Sequence, residues 1–250
     1  MGKVYFISDL HLGSLYPNDN QDIEKKVVRW LDIVKNDAEA IYFLGDIFDY
    51  WYEYKYVAPR GYVRFLGKLA ELSDSGVAIH FLIGNHDIWM FGYLSSEVGA
   101  IIHLNPFVVE HYGKKFFLAH GDEVGWQPFT YRLIQSVFRN RFCQWLYSAI
   151  HPRWTFAFAQ RWSAGSRKKS VAAGMQEQIE TKALKNLEAF SGNYLKTHPD
   201  IDFFIYGHLH IVVNEELTDT TARLLVTGDW LNHFSYAEWD GVKIEMKTFL

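Results

Sequence analysis

At 250 residues the chain can bury a substantial core, and 49% hydrophobic with 22% charged residues is globular composition, not disorder. A net charge of −4 argues against a generic nucleic-acid binder, so no nucleic-acid partner is expected. No apolar run approaches the ~18 residues that span a bilayer, and the single cysteine, Cys143, excludes an internal disulfide framework and fits a reducing, cytoplasmic compartment.

Short apolar runs of strand character recur, each ending in polar residues. Val4–Ile7 leads into Ser8-Asp9-Leu10-His11, and Ala40–Leu44 into Gly45-Asp46-Ile47-Phe48-Asp49. Ala78–Ile83 leads into Gly84-Asn85-His86-Asp87, and Lys115–Ala119 into His120-Gly121-Asp122. Asp202–Tyr206 leads into Gly207-His208-Leu209-His210, and Arg223–Val226 ends at Gly228-Asp229-Trp230. Apolar spacing near 3.6 predicts helices over Ile23–Val34 and Gly61–Leu72, the second stopped by Ser73-Asp74-Ser75-Gly76. Further strands are expected at Ser235–Trp239 and Lys243–Phe249. Near-continuous apolar strands need a sheet buried on both faces, and their alternation with helices is the α/β arrangement that gathers ligands at one edge.

Residues 124–176 differ from the rest. They contain no Asp or Glu but hold Arg132, Arg139, Arg141, Arg153, Arg161, Arg167, Lys168 and Lys169, a charge of +8 against −12 elsewhere. They are also dense in aromatics, from Trp126 to Trp162. This segment reads as a mostly helical cap inserted into a single domain spanning the whole chain. Its aromatics suit either the cap's own core or a surface for apolar ligands.

The strand-end residues Asp9, His11, Asp46, Asn85, His120, His208 and His210 are seven oxygen and imidazole donors. That is enough for two divalent metals sharing one carboxylate, a pair that can activate a hydroxide and clamp a phosphoryl displacement. Mixed O/N donors suit Mn, Fe, Zn or Co better than calcium. In Asp9-X-His11 both side chains project to one side of an extended strand end. His208-X-His210 either repeats that geometry or serves the two ions separately. Gly45, Gly84 and Gly207 each precede a donor, where tight turns and close backbone approach are useful.

The blocks D-x-H, G-D-x-x-D, G-N-H-D, a lone histidine and G-H-x-H resemble those of the calcineurin-like metallophosphoesterases. They stand at Asp9–His11, Gly45–Asp49, Gly84–Asp87, His120 and Gly207–His210, so the likeness spans most of the chain. The resemblance implies a four-layer αββα sandwich with a helical cap insertion. It places Asp9, His11, Asp46 and His210 on one metal, and Asp46, Asn85, His120 and His208 on the other. Manganese is the expected ion, with Fe, Zn, Co or Mg as alternatives. His86 would act over the site as an acid or a charge stabiliser, oriented by Asp87. Asp49 and Asp122 would hold ligand histidines in one tautomer, or else cap helices.

Local strings narrow the likeness: Phe48-Asp49-Tyr50-Trp51, Ser73–Val77, Phe91-Gly92, Glu97-Val98-Gly99 and the insertion before Lys169-Ser170. They resemble the branch of the family that hydrolyses a UDP-linked diacyl sugar lipid at the inner face of the cytoplasmic membrane. Substrate contacts are then expected from Asn85, His86, His208, Lys169, Arg167, Ser163 and Ser166. Two positions depart from that branch, which carries Arg where His86 stands and Thr where Leu209 stands. The alternatives are a phosphoesterase for another nucleotide or phosphodiester, and a DNA nuclease of the same family.

Overall fold

The computed structural model describes residues 2–14, 20–159 and 176–249. Strands β1 (Lys3–Ile7), β2 (Ala38–Leu44), β3 (Ala78–Leu82) and β4 (Ile101–His103) run parallel in one sheet. Antiparallel β10 (Ser235–Trp239) and β11 (Ile244–Thr248) extend it, giving the order β11-β10-β1-β2-β3-β4. The second sheet has the order β5-β6-β7-β9-β8, from β5 (Phe107–His111), β6 (Lys114–Ala119), β7 (Phe203–Tyr206), β8 (Val212–Glu216) and β9 (Arg223–Thr227). Its centre, β6-β7-β9, is parallel, while β5 and β8 are antiparallel edges.

Alternation along the strands builds three apolar layers. Val4, Phe6, Ala40, Tyr42 and Leu44 of the first sheet meet Phe116, Leu118, Phe203, Ile205 and Leu225 of the second. The opposite face of the first sheet, Tyr5, Ile7, Ile41, Phe43, Ile79 and Phe81, packs on α1 (Asn20–Val34) and α2 (Val63–Asp74). Helix α1 can do this because Ile23, Val27, Trp30, Leu31 and Val34 share one face, and α2 because Phe65, Leu69 and Leu72 do. The outer face of the second sheet, including Phe117, Phe204, Tyr206 and Leu224, packs against Leu187 and Leu195 of α7 (Gln176–Leu195). Helix, sheet, sheet, helix is the expected αββα sandwich. Each fully buried Phe or Leu in these layers contributes about 1.5–3 kcal/mol.

Helix α2 ends as its sequence dictates: the Ser75 amide donates to the Glu71 and Leu72 carbonyls, and Gly76 takes a left-handed φ of 94°. A short α3 (Tyr93–Val98) follows β3, with Leu94 and Val98 buried. Three strands escaped the sequence reading, namely β4, β5 and β8. The first has three residues, and the other two are edge strands carrying Glu110, Glu215 and Glu216.

The described part of the basic segment is helical: α4 (Phe129–Arg139), α5 (Arg141–Ser148) and α6 (152–159). Asn140 caps α5 by accepting from the Phe142 and Cys143 amides at 2.9 and 3.1 Å. Tyrosines after β2 tie these helices to the body. Tyr50 Oη lies 3.1 Å from Tyr147 Oη, Tyr52 Oη donates to the Gln144 carbonyl, and Tyr54 Oη lies 2.8 Å from Thr155 Oγ1. Trp89 Nε1 donates to the Phe138 carbonyl. Neither α4 nor α5 has a fully buried residue. Phe129, Phe142, Trp145, Trp154 and Phe158 are all exposed, so these aromatics form a surface and not a core.

Candidate metal centre

Every candidate donor follows a parallel strand, and backbone hydrogen bonds bring the strand ends together. The Asp9 and His11 amides donate to the Gly45 and Asp46 carbonyls at 3.1 and 3.0 Å. The Gly207 amide donates to the His120 carbonyl, and the Trp230 amide to that of Asp9. The approach is tight: a Cβ on Gly45 would strike the His120 ring, and one on Gly84 would strike Asp46. Asp9, His11, Asp46, His208 and His210 themselves sit in the left-handed region, with φ between 44° and 67°.

The carboxylate of Asp46 occupies the middle. Its Oδ1 accepts from the His86 amide at 2.9 Å. Its Oδ2 lies 3.5 Å from His120 Nε2 and 3.9 Å from both His11 Nε2 and His86 Nε2. On one side, Asp9, His11 and His210 bring one donor atom each within 4.8 Å of one another, with His11 Nε2 and His210 Nε2 3.4 Å apart. On the other side Asp46, His120 and His208 do the same, and Asn85 Oδ1 lies 3.3 Å from His120 Nε2. A third such grouping, His11, Asp46 and His86, lies between them.

Partners on Nδ1 turn three imidazoles inward by Nε2. His120 Nδ1 lies 2.8 Å from the Leu44 carbonyl, His11 Nδ1 3.4 Å from Asp49 Oδ1, and His210 Nδ1 3.1 Å from Asp229 Oδ2. A carbonyl only accepts, so the His120 proton resides on Nδ1. Burial opposes charging His120, but the Asp46 carboxylate beside it holds its pKa well above the usual histidine range. Burial likewise opposes charge on Asp46, and the imidazoles of His120 and His86 hold it well below the carboxylate range. His11, fully enclosed, is pushed down to about 4 by burial.

Within the donor cluster, one buried carboxylate oxygen has no hydrogen-bond partner among the described residues. Asp9 Oδ2 accepts from the His208 amide at 2.9 Å and from Ser8 Oγ, whereas Asp9 Oδ1 is without a hydrogen bond among the described residues. An orphaned carboxylate oxygen facing two imidazoles is what a cation would satisfy, and the O/N donor set fits divalent metal ions.

His86 is held in a similar way: its Nδ1 lies 3.0 Å from the Asp49 carbonyl. Its side chain is 24% exposed, and that of His210 30%, against 2% for His11 and 0% for His120. The expectation that Asp87 orients it is corrected. The Asp87 carboxylate is fully buried and accepts backbone amides of Asp46, Ile47, Phe48 and Gly84. It braces the turn that carries Asp46. Burial and the nearby Asp46 charge push its pKa up to about 6.

Asp122 is engaged by α4: Tyr131 Oη and Gln135 Nε2 both donate to its Oδ2 at 2.7 Å. Ser163, Ser166, Arg167 and Lys169 lie outside the described residues. Asp229 was missed. Beyond His210, its Oδ1 accepts the Asn232 and His233 amides at 2.8 and 3.0 Å. Its signal was the sixth strand-then-polar run, Gly228-Asp229-Trp230, which lacks a histidine.

A family model, calcineurin-like phosphoesterase, matches residues 2–212. The chain belongs to the calcineurin-like phosphoesterases. Among curated relatives of this phosphoesterase, UDP-2,3-diacylglucosamine hydrolase of Porphyromonas gingivalis (strain ATCC BAA-308 / W83) is 43% identical over 255 residues, covering 98% of this chain and 97% of that one. The protein of that name from Nitrosococcus oceani is 31% identical, covering 91% of this chain and 87% of its own. That from Aeromonas salmonicida is 25% identical over 93% and 88%. Among the described residues of this phosphoesterase, no helix is long and apolar enough to cross a membrane.

Proposed function

We propose that the protein is a dinuclear-metal hydrolase that cleaves the pyrophosphate of UDP-2,3-diacylglucosamine to UMP and 2,3-diacylglucosamine 1-phosphate. The substrate reading rests on relatives so named at 43% and 31% identity. The observation carrying the chemistry is Asp46, whose carboxylate stands between two clusters of imidazole and carboxylate donors. In this reading Asp9, His11, Asp46 and His210 hold one ion, and Asp46, Asn85, His120 and His208 the other. Two divalent ions there, most suitably Mn, would supply Lewis acidity and an activated water.

The chain's own groups do the rest. Asp46 sets the spacing of the two donor clusters. Asn85, His86 and His208 face the phosphates. One P–O bond forms to water oxygen and the bridging P–O bond breaks. With His86 Nδ1 held at the Asp49 carbonyl, Nε2 is the atom left to offset charge on the departing phosphate or pass it a proton. The cap, 124–176, then serves the lipid: exposed aromatics for acyl chains and the inner membrane surface, with Arg167, Lys169, Ser163 and Ser166 for phosphate or sugar.

Metal-loaded protein incubated with UDP-2,3-diacylglucosamine should give UMP and the lipid 1-phosphate by mass spectrometry, and EDTA should abolish both. Cleavage of a generic phosphodiester with no turnover of that lipid would sink the substrate reading and leave the metal chemistry standing. Asp229→Asn keeps the side chain's shape but removes the charge behind His210. Metal affinity should fall ~10–100-fold in a chelator competition. Unchanged affinity would confine Asp229 to bracing its own turn.

A further inference from the structure

We propose that a cavity between α4 and the 104–106 turn is a binding site for a phosphate-class anion, separate from the candidate metal centre. The cavity is about 500 Å³, and Asn105, Glu123, Gln127, Arg132, Ser136 and Arg139 contribute to its lining.

The sequence builds this wall deliberately. Arg132, Gln135, Ser136 and Arg139 are spaced i, i+3, i+4 and i+7, one face of α4, and all four line the cavity. Leu133, Ile134 and Val137 fall on the remainder of the helix, where they are exposed. Seven residues of helix separate the two guanidinium stems by roughly 10 Å along the axis, a span that two arginine side chains can close on one tetrahedral anion.

Arg139 is anchored by one guanidinium nitrogen, which donates to the Leu104 carbonyl at 3.1 Å. Its Nε is buried with no hydrogen-bond partner among the described residues. Such a donor is costly to leave unpaired, and it is the guanidinium's remaining N–H groups that an oxyanion in the cavity would take. Among the described residues Glu123 is the one carboxylate in the lining, and both its oxygens accept backbone amides. Oε1 accepts the His120 amide at 3.0 Å and Oε2 the Gly121 amide at 2.9 Å. Among the described residues, two arginines, a serine hydroxyl and side-chain amides then stand against one carboxylate in this lining. That favours an anion with several acceptor oxygens. The Gln135 amide lines this cavity and donates to Asp122.

The site does not depend on the identity of the hydrolysed substrate. Its phosphate could come from a nucleoside monophosphate, from a lipid headgroup or from free phosphate. The test is calorimetric titration of metal-loaded full-length protein with inorganic phosphate. Two classes of site are expected. Asp46→Ala should lose one class, and the double variant Arg132→Gln/Arg139→Gln should weaken the other at least about tenfold. Arg132→Gln alone, at an exposed position, should weaken that same class and keeps the test alive if the double variant does not fold. Displacement of this second class by UMP assigns it to a nucleotide, and displacement by phosphatidylglycerol vesicles assigns it to a headgroup. A single class abolished by Asp46→Ala, or a second class untouched by the arginine variants, overturns the proposal.

Discussion

Replacing Asp46 with alanine is expected to strip both ions and essentially all turnover, read by elemental analysis of the purified protein and by product release. Its Oδ2 lies within 3.9 Å of three imidazole nitrogens on both sides of the centre, so one substitution removes a donor from each cluster. The ion pair is worth several kcal/mol of transition-state stabilisation, so kcat should fall roughly a thousand-fold or more. Asp46→Asn is the stricter variant, since an amide oxygen can still accept the His86 amide that Oδ1 holds at 2.9 Å. It preserves the turn and removes only the charge. Normal activity in the Asn variant would end the two-metal account.

His86→Ala should separate chemistry from metal binding. The expected loss is about 10²–10⁴-fold in kcat, the usual contribution of a positioned acid or base, with metal content retained. The geometry supports this split because Nδ1 is held by the Asp49 carbonyl and the ring is partly exposed beside the cluster. His86→Arg carries a fixed cation without a proton that leaves near neutrality. If charge alone matters, the Arg variant recovers most of the loss and flattens the pH profile. If proton transfer matters, it stays as slow as the Ala variant. Loss of metal in both variants would make His86 a ligand, a role its grouping with His11 and Asp46 permits.

Much of this was legible because parallel strands buried on both faces must be written as continuous apolar runs, and their C-terminal ends carried the polar blocks. Phe43 and Leu44 illustrate it: one faces α2, the other the second sheet, and Gly45-Asp46 follows at once. Edge strands have no such constraint, so Glu215 and Glu216 hid β8. Asp87 was misread because adjacency in sequence is not adjacency in a turn. Its side chain points back into the backbone of 46–48 while His86 points out. Tyr50 and Tyr52 belong to the core, with Tyr54 packed against it, and all three also hydrogen-bond to residues of α5 and α6. No spacing rule foretells a contact made across about a hundred residues.

The left-handed backbone at Asp9, His11, Asp46, His208 and His210 carries a cost of its own. Each such residue gives up on the order of 1–2 kcal/mol that a glycine there would not. Against a typical folding stability of about 5–15 kcal/mol, five of them are a heavy standing charge. The protein therefore sits on a trade-off between heat resistance and activity. Selection for a higher melting temperature alone would drift these positions toward glycine, erasing the centre while improving the fold. That all five are candidate metal donors and none is glycine is what a centre built at the expense of stability requires.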